Sequence, residues 1–585
     1  MYLNDALARS SLTSTVCLHE QSVAIAAEYY GRLSSDPFGV ALVTNGPGAT
    51  NTLTAVAGAY IESVPLFVIS GQVKTADYRE TKSVRQTGVQ EVNTLDMVRP
   101  ITKRSIILLS ADDLDMAITE LISTMLSGRM GPVWLEVPLD LQGAPLPQIF
   151  QSFNSSQPDN HIFTTGFKCQ SLHEIVDLPS EEFKRPLLLV GQGVRLSNSA
   201  EDFLEFIEDY DIPVITTFPA KDLIHYNHRL FIGHPGNVAL RAANLAVQNC
   251  DLLISIGSSL NNVVTAYTPA NFAKNATKLL FDIDEHQLSQ ICIPRSHKYV
   301  LDIKSSIGSL KMLNFLKSYN SNKWLEFLST LKFKYSYPRD ISFQSCRRDN
   351  NSLSIYSVID CLSSLLHHIP AITTGSSGFC IEAFYMLYRN PIGQRITIDS
   401  GLGSMGYGTP ALIGSCLAFP NQKVVLFEGD GSFQMNIQDL ATISGLNLNC
   451  LIIIINNSGY ASIKNSQTAY FDGRLLGCDQ DSGLHLPDIS ALLSAYKIPN
   501  YSVLNLNDLM TAVSSALELA GPVAIEVFTD ASEILLPRVK SVRNTDGSMH
   551  SLPIEDMFPN LTLEELQMGL SFGANISDES MCIHR

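Results

Sequence analysis

Two polar residues that could hold a divalent metal follow two apolar runs in this sequence. Asp430 lies in a Gly-Asp-Gly turn just after Val424–Phe427, and Asn457 comes just after Leu451–Ile455. Each run is short enough to be a buried strand, and Ile437–Ser444 between them has the pattern of a helix. The sequence thus predicts a strand–helix–strand unit of a parallel sheet. Both polar residues then lie at the carboxyl ends of neighbouring strands, where open α/β sheets bind ligands.

The residue types at this edge suit a magnesium ion that carries phosphate oxygens. The carboxylate of Asp430 and the amide oxygen of Asn457 are hard oxygen ligands, and positions 430 and 457 are 27 apart. Gly429 and Gly431 allow the backbone to come close to a ligand, and Ser432 follows them. A Gly-Asp-Gly turn alone is common where a strand ends. The prediction therefore depends on the spacing and on the two flanking strands.

Gly-Asp-Gly followed at this distance by Asn-Asn resembles the diphosphate-binding motif of thiamine-diphosphate (ThDP) enzymes. The resemblance covers nearly all of the chain, which looks like the catalytic subunit of acetolactate synthase and similar proteins that join pyruvate to a second carbonyl. It implies three α/β domains, each a doubly wound parallel sheet: pyrimidine-binding (1–150), central (160–340) and diphosphate-binding (353–540). It also implies ThDP and Mg²⁺ as cofactors, with the backbone carbonyl of Gly459 as a third protein ligand of the metal.

Size and composition exclude several other classes of protein. At about 150 residues per domain, 585 residues suggest three or four domains, and 45% hydrophobic with 17% charged residues is ordinary globular material. The net charge of −17 argues against a nucleic-acid partner. No apolar run reaches the 18 or so residues of a membrane span, and no signal peptide opens the chain. Eleven cysteines without CxxC pairs suggest neither zinc nor disulfides, so a cytoplasmic protein is expected.

Glu20 is the predicted catalytic carboxylate. By itself, a Glu at the start of the predicted helix Gln21–Arg32 would serve only the helix dipole. Here His-Glu-Gln at 19–21 and Thr-Asn-Gly-Pro-Gly-Ala-Thr-Asn at 44–51 resemble the pyrimidine-binding domain of the family. The resemblance implies that Glu20 hydrogen-bonds the aminopyrimidine ring of the coenzyme. Protonation of that ring favours the tautomer that can remove the weakly acidic proton of the reactive carbon.

Gln90 is a second candidate in the same domain, whose further strands are predicted at Val40–Thr44, Leu66–Ser70 and Val133–Val137. It lies in a polar loop at 85–91. In acetolactate synthases a Gln-Glu pair at this point lines the substrate channel, so the resemblance implies a substrate contact. A solvated surface loop is the alternative.

The beginning of the chain departs from the family pattern. Residues 1–10 match a segment that, in the family, follows a first strand, a helix and a Gly-Gly turn near the reactive carbon. Either the start codon was assigned late, or the product is truncated and lacks one strand and part of the site. We expect the first. The second would fit a non-catalytic subunit.

The central domain resembles the one that holds FAD in acetolactate synthases. Its predicted elements are the strands Pro186–Val190, Val214–Thr217, Leu252–Ile256 and Leu279–Ile283 and the helix Ala200–Tyr210. Gly191 and Gly193 follow the first strand, but the third glycine of a dinucleotide site is missing. Acetolactate synthases carry Arg-Phe-Asp-Asp-Arg where this chain has Ser-Leu-Asn-Asn-Val at 259–263. Because both arginines are absent, FAD stays a possibility only.

A hydroxyl-rich turn follows the predicted strand Ala371–Thr373. It contains Gly375, Ser376 and Ser377, and it matches a family segment that meets the diphosphate. Such a turn at a helix start could donate to phosphate oxygens, or it could be a simple cap.

A glycine-dense segment at 400–408 includes Gly403 and Met405. Its glycines let the backbone approach a ligand closely. In the family, the Met of this segment wedges between the two rings of the coenzyme, and Met405 has that role by position. On its own a Met here would be a core residue.

The remaining polar segments are predicted as linkers, a loop and a tail. Residues 151–158 and 320–352 have the composition of linkers, the second with some helix, and 458–477 reads as a loop that orders over the site. Acetolactate synthases place an acceptor-selecting Trp where this chain has Ser466. The run 459–464 looks more like relatives from modified-sugar and surface-polysaccharide pathways. The tail, 541–585, is acidic and partly helical.

The predicted activity is ThDP- and Mg²⁺-dependent decarboxylation of a 2-oxo acid, pyruvate above all, with transfer of the two-carbon unit to a second carbonyl. The chain would then be a transferase or lyase of the acetolactate synthase type. A simple 2-oxo acid decarboxylase and a non-catalytic ThDP-fold subunit are the alternatives. In the family the pyrimidine domain of one subunit faces the diphosphate domain of another, which implies a homodimer or homotetramer. A regulatory subunit stays open.

Overall fold

The computed structural model describes residues 1–78, 85–145, 183–313, 316, 319–343 and 353–572. These residues form two compact units. The first contains 1–145, 368–381 and 394–531, and the second contains 183–367, 382–393 and 532–572, each within the described ranges. The predicted linker 151–158 lies outside the described residues.

The first unit holds two parallel sheets, of which the first has four strands. Their order is β1-β2-β4-β3, with Gly39–Val43 (β1), Leu66–Gln72 (β2), Arg104–Ile107 (β3) and Val133–Pro138 (β4). Every residue of β4 is buried. Such continuous burial is typical of parallel strands covered on both faces, and it explains why they appear in the sequence as unbroken apolar runs.

The second unit holds a six-stranded parallel sheet. Its order is β10-β9-β8-β5-β6-β7, with Pro186–Val190 (β5), Val214–Thr216 (β6), Phe231–Gly233 (β7), Leu252–Ile256 (β8), Thr277–Asp282 (β9) and Ser296–Val300 (β10). Hydrophobic clusters cover both of its faces. The central strands β5 and β8 are buried along their whole length.

The third sheet, in the first unit, carries the candidate metal ligands. Its order is β12-β11-β13-β14-β16-β15, with Ala371–Thr374 (β11), Arg395–Thr397 (β12), Val424–Gly429 (β13), Cys450–Asn456 (β14), Asn500–Val503 (β15) and Val523–Phe528 (β16). All its pairs are parallel, and Gly429 of β13 lies opposite Ile455 of β14. The predicted fold class, three α/β parallel-sheet domains, is therefore confirmed.

Helices connect and cover these strands. In chain order they are Tyr2–Arg9 (α1), Glu20–Leu33 (α2), Pro47–Asn51 (α3), Leu53–Ile61 (α4), Thr94–Val98 (α5), Leu114–Leu126 (α6), Leu139–Gln142 (α7), Gly193–Leu196 (α8), Ala200–Tyr210 (α9), Arg241–Asn249 (α10), Glu285–Gln290 (α11), Ile303–Lys311 (α12), Asn322–Lys334 (α13), Ile355–Leu365 (α14), Phe379–Leu387 (α15), Gly408–Ala418 (α16), Asp430–Phe433 (α17), Leu440–Gly445 (α18), Ala461–Tyr470 (α19), Ile489–Ala495 (α20), Leu506–Glu518 (α21) and Leu563–Leu570 (α22).

Part of the predicted second linker, 320–352, is a core helix. Helix α13 buries Trp324, Leu328 and Leu331, which recur at helical spacing, and these residues belong to the hydrophobic core of the second unit. The exposed polar and charged residues between them gave the segment its linker composition. The segment was predicted as a linker with some helix: the helix is present, but residues 322–334 pack into the core and do not form a linker. Residues 344–352 lie outside the described residues.

Two other polar segments also contain regular structure. The predicted loop 458–477 includes α19, of which only Ala461 is fully buried. The tail forms an antiparallel pair between Ser541–Arg543 (β18) and Met549–Ser551 (β19) besides α22. A second short antiparallel pair joins Arg538–Val539 (β17) to Met557–Phe558 (β20). The helix between β13 and β14 is split into a 3₁₀ segment, Gln434–Asp439, and α18.

Among the described residues, no helix is both long enough and apolar enough to span a bilayer.

Candidate active site

Just after β13, one carboxylate is buried. Asp430 is 2% exposed, and its Oδ1 accepts a hydrogen bond of 2.8 Å from the backbone N–H of Gly431. Its Oδ2 accepts one of 3.0 Å from the N–H of Gly459. Burial raises the pKa of Asp430 to about 6, although these amide donors act against the shift. A nearby cation would favour the ionised form of this carboxylate.

The end of β14 supplies an oxygen that has no hydrogen-bond donor. Asn457 is 8% exposed, and its Oδ1 is buried without a hydrogen-bond partner. Buried polar atoms almost always have a partner in proteins, so an orphan beside a buried carboxylate indicates a position for a cation. The chemistry of the set, a carboxylate and an amide oxygen, suits Mg²⁺ with phosphate oxygens as further ligands.

Glycine is required at position 459 because of a close approach. Its φ is +138°, and a Cβ there would lie 2.2 Å from the carbonyl oxygen of Cys478. The preceding Ser458 has a φ of +63°, so the chain turns sharply after Asn457. This turn, 457–459, brings the Gly459 amide to Asp430. The structure thus brings together all three residues predicted as metal ligands.

The three predicted metal ligands include a single carboxylate, that of Asp430. Among the described residues, His, Cys, Asp and Glu side chains form no group of three that could hold a metal. A site with a single carboxylate leaves coordination positions for a ligand that brings its own oxygens, as a diphosphate does.

The glycine-dense segment, 400–408, is held by hydrogen bonds to residues that follow strands β11 and β13. The N–H of Gly406 donates to Oγ of Ser432 over 2.9 Å, and the hydroxyl of Ser377 donates to the carbonyl of Gly403 over 2.8 Å. Met405, which is partly buried, lies between these two anchored points. Segments around 376, 404 and 431 therefore form one connected wall beside the metal-type site.

Ser376 and Gly375 have different surroundings. Ser376 is 3% exposed, and its Oγ has no hydrogen-bond partner, which makes it available to a ligand oxygen. At Gly375, a Cβ would lie 2.1 Å from Oε1 of Glu428, so its small size serves packing within the protein. A Cβ on Gly429 would lie 3.2 Å from the sulfur of Cys380, and one on Gly431 2.2 Å from Cε1 of Tyr460.

Glu20 opens helix α2, and one neighbour controls its charge. The side-chain N–H of Asn51 donates to Oε2 of Glu20 over 2.9 Å. This hydrogen bond lowers the pKa of Glu20, against a smaller opposing effect of burial. On its other side, Oε1 lies over Gly48, where even a Cβ would be 3.5 Å away. The carboxylate is thus ionised and partly accessible.

The chain around the start of helix α2 is in direct contact with the 3₁₀ segment 434–439, which follows the Gly-Asp-Gly turn. Asn436 donates from Nδ2 to the carbonyl of Gly406 over 2.8 Å and to Oε1 of Gln21 over 3.3 Å. The backbone N–H of Leu18 donates to Oδ1 of Asp439 over 2.9 Å. Glu20 and Asp430 themselves are held by different residues, Asn51 for the first and the turn 457–459 for the second.

Gln90 lies in the predicted loop, and its side chain is exposed. Its φ is +62°, and its carbonyl accepts a hydrogen bond of 3.3 Å from Nδ2 of Asn45. A Cβ on Gly46 would meet that same carbonyl at 2.4 Å. The loop is therefore held by its backbone against the turn that precedes α3, and the side chain is free to meet a ligand.

Sequence reasoning missed Asn51 and Asn456, although both stand in the motifs that carried the resemblance. Asn51 ends the 44–51 motif and bonds Glu20. Asn456 is the first Asn of the Asn-Asn pair, and its side chain bonds Glu526. The available signal for Asn456 was its position, since it is an asparagine directly before the asparagine predicted as a metal ligand.

Comparisons with known proteins identify the family of this chain. Three family models match in order: the N-terminal TPP binding domain of thiamine pyrophosphate enzymes at 1–97, the central domain at 181–310 and the C-terminal TPP binding domain at 374–527. The chain therefore belongs to the family of thiamine pyrophosphate enzymes.

The curated relatives indicate which thiamine pyrophosphate enzymes the chain is similar to. The acetolactate synthase large subunit of Lactococcus lactis is 30% identical over 90% of this chain and 88% of its own length. The isozyme 2 large subunit of Escherichia coli is 28% identical over 92% of both chains, and a probable large subunit of Methanocaldococcus jannaschii is 30% identical over 91% and 88%. Within its family the chain is an acetolactate synthase-like, thiamine-diphosphate-dependent enzyme.

Proposed function

We propose that the protein binds ThDP through Mg²⁺, decarboxylates pyruvate or a close 2-oxo acid, and transfers the two-carbon unit to a second carbonyl. The names of the relatives support this reaction class. The observation that carries the proposal is the unpaired Oδ1 of Asn457 beside the buried carboxylate of Asp430. Together they fit a hard divalent cation better than they fit any internal partner.

Three groups of this chain would hold the metal: the Asp430 carboxylate, Oδ1 of Asn457 and the Gly459 carbonyl. Ser376, with its unpaired hydroxyl, would donate to the diphosphate. Ser377 is already bonded to Gly403, so it would shape the wall and not bind phosphate. ThDP, when bound, supplies a thiazolium that accepts the electrons released as CO₂ leaves.

Glu20 would hold a proton on the pyrimidine ring. Because Asn51 keeps its pKa low, Glu20 is an anion at neutral pH and favours a protonated ring nitrogen as its hydrogen-bond partner. Met405, on the wall beside the metal-type site, would support the bent shape of the coenzyme. Gln90, with an exposed side chain on a backbone-anchored loop, would contact the substrate.

The proposed cofactors are ThDP and Mg²⁺, and FAD stays open, since two features of the second unit do not favour it. A Cβ on Gly191 would lie 2.0 Å from the carbonyl of Gly257, and a Cβ on Gly193 2.8 Å from the Cα of Gly257. These glycines therefore serve close packing between two loops of the second unit. The segment 259–263 also lacks arginine.

We also propose that the working enzyme is at least a dimer, with the Glu20 of one subunit serving the metal site of the other. Support comes from the family resemblance and from the different hydrogen-bond partners of the two carboxylates within one chain, Asn51 for Glu20 and Gly459 for Asp430. The acceptor is proposed only as a compound that has a carbonyl group. Ser466, at the position of the acceptor-selecting Trp of acetolactate synthases, is exposed on α19. Its small side chain is compatible with an acceptor other than pyruvate.

The decisive experiment is product analysis. The purified protein is incubated with ThDP, Mg²⁺, pyruvate and a panel of 2-oxo acids and keto sugars, and the products are identified by mass. A two-carbon adduct of one acceptor is expected, whereas acetaldehyde alone would indicate a simple decarboxylase.

Glu20→Gln should lower turnover by roughly a hundredfold or more with coenzyme binding retained. Unchanged turnover would remove Glu20 from the mechanism.

A further inference from the structure

The residue before the metal-type Asn457 is bonded at both ends of its side chain. Asn456 donates from Nδ2 to Oε1 of Glu526 over 2.7 Å. Its Oδ1 accepts a hydrogen bond of 3.0 Å from the backbone N–H of Ser458. One amide therefore connects the neighbouring strand β16 to the middle of the turn 457–459.

The anchor on β16 is a rigid one. Glu526 lies in the interior of the sheet, opposite Ile454 in the register of β14 and β16, and it is 4% exposed. The strand end is fixed in addition by the backbone, since the N–H of Thr529 donates to the carbonyl of Asn456 over 2.9 Å. The position of Asn456 is thus set by two strands.

The turn that Asn456 holds has an unusual backbone. Ser458 has a φ of +63°, in the left-handed region that non-glycine residues seldom adopt. Such a conformation persists when surrounding contacts determine it, and the bond from the Ser458 N–H to Asn456 is such a contact. The same turn directs the Gly459 N–H to Asp430, and it contains Asn457, whose buried Oδ1 has no hydrogen-bond partner.

We propose that Glu526 and Asn456 are positioning residues that hold the turn 457–459 in its metal-binding shape. This inference rests on the proposed function, because it takes the turn as a Mg²⁺ site. Neither side chain would touch the metal. Each acts through the next residue, as the hydrogen-bonded partners of metal ligands generally do, and their loss ordinarily weakens metal binding by about 10- to 100-fold.

Exchanging the side-chain types of Asn456 and Glu526 distinguishes the effect of their hydrogen bond on metal binding from the effect of packing. Asn456→Asp keeps the acceptor for the Ser458 N–H but sets a carboxylate against that of Glu526. Glu526→Gln alone keeps an oxygen that can accept from Asn456. In the double variant, Gln at 526 can donate to Asp at 456, so the connection is rebuilt with donor and acceptor exchanged.

The test measures metal binding directly. Mg²⁺ is titrated into the ThDP-saturated protein by calorimetry, and Mn²⁺ binding by electron paramagnetic resonance serves as a second probe. We expect Asn456→Asp to bind either metal at least about tenfold more weakly, and Glu526→Gln to stay within about threefold of the unchanged protein. The double variant should recover most of the loss. Unfolding temperatures without cofactor are recorded for every variant.

Ser502→Ala is the matched control. Ser502 lines the same cavity of about 350 Å³ as Asn456 and Glu526, but it is not one of the residues that connect Glu526 to the turn 457–459. Ser502→Ala should therefore leave the metal affinity of the protein unchanged. If Asn456→Asp does not fold, Asn456→Ala removes both bonds without adding a charge and should weaken the metal in the same way.

Unchanged affinity in Asn456→Asp, or a loss that the double variant does not recover, would overturn the assignment. If the unchanged protein itself binds neither metal with ThDP present, the proposed function fails instead. The two failures are therefore distinguishable.

Discussion

Asn51 donates a hydrogen bond of 2.9 Å to Oε2 of Glu20, across 31 positions of the chain. This contact joins the end of α3 to the first residue of α2 and holds the pKa of Glu20 below its ordinary value. The carboxylate that would face the coenzyme ring is thus kept ionised mainly by a neutral neighbour, Asn51.

Replacing Asn51 should therefore move the pH dependence of the reaction. In Asn51→Ala the pKa of Glu20 rises, because its largest lowering influence is gone. A larger share of the enzyme then carries a protonated Glu20 in mildly acidic solution, so the acid limb of kcat/KM should shift to higher pH. Thr50→Ala is the control, since its hydroxyl bonds the carbonyl of Pro47. An acid limb that does not move would separate Glu20 from the pH dependence.

Mixing two inactive variants should restore activity if Glu20 and Asp430 serve one site from different subunits. Glu20→Gln and Asp430→Asn are each expected to be inactive at a Mg²⁺ concentration that just saturates the unchanged enzyme. After subunit exchange at equal concentrations, about half of the dimers are mixed and have one intact site of two, so roughly a quarter of the activity should return. Each variant incubated alone is the control. If exchange is shown by mass and no activity returns, both residues belong to one subunit's site.

The strands around the candidate metal site could be predicted because burial alone determines them. Predicted limits of 424–427 and 451–455 compare with Val424–Gly429 and Cys450–Asn456 in the structure. A continuous apolar run between two turn-forming segments has few alternatives to a buried parallel strand. The glycine and asparagine signals at their ends then indicate the edge where a ligand binds.

Hydrogen bonds between distant side chains could not be predicted in this way. Asn456 and Glu526 are 70 positions apart, and they meet only because β14 and β16 are neighbours in a particular register. Helix α19 was missed for another reason. Only one of its ten residues, Ala461, is buried, so its sequence has no apolar period to distinguish it from a loop.

Helix α13 provides a direct test of the segment that composition misassigned. Trp324 is 1% exposed, and its indole N–H donates to the carbonyl of Pro186 over 2.9 Å. Trp324→Ala should lower the free energy of unfolding by about 3–5 kcal/mol through lost burial and a cavity. Urea unfolding followed by circular dichroism measures this change. Phe333→Ala on the same helix, where the ring is 63% exposed, should cost far less. Equal small effects at both positions would fit a linker.

Glu136 should make the first unit less stable as the pH rises. It is fully buried on β4, where burial raises its pKa to about 7 despite a hydrogen bond of 3.0 Å from Nε2 of Gln72. The folded protein therefore keeps this proton between about pH 4.5 and 7, whereas the unfolded chain has lost it. Unfolding releases the proton in that range, so the contribution of Glu136 to stability decreases with pH and levels off above pH 7.

Glu136→Gln should remove this dependence, because an amide keeps the acceptor for Gln72 and does not ionise. Near pH 4.5 the two proteins should be about equally stable, and above pH 7 the variant should be more stable by about 3 kcal/mol. Urea unfolding at several pH values from 4.5 to 8.5 measures the difference. Glu120→Gln, an exposed carboxylate paired with Arg104, should show no such growth. A Glu136→Gln difference that stays constant across this range would mean that Glu136 has the same charge in the folded and unfolded chains.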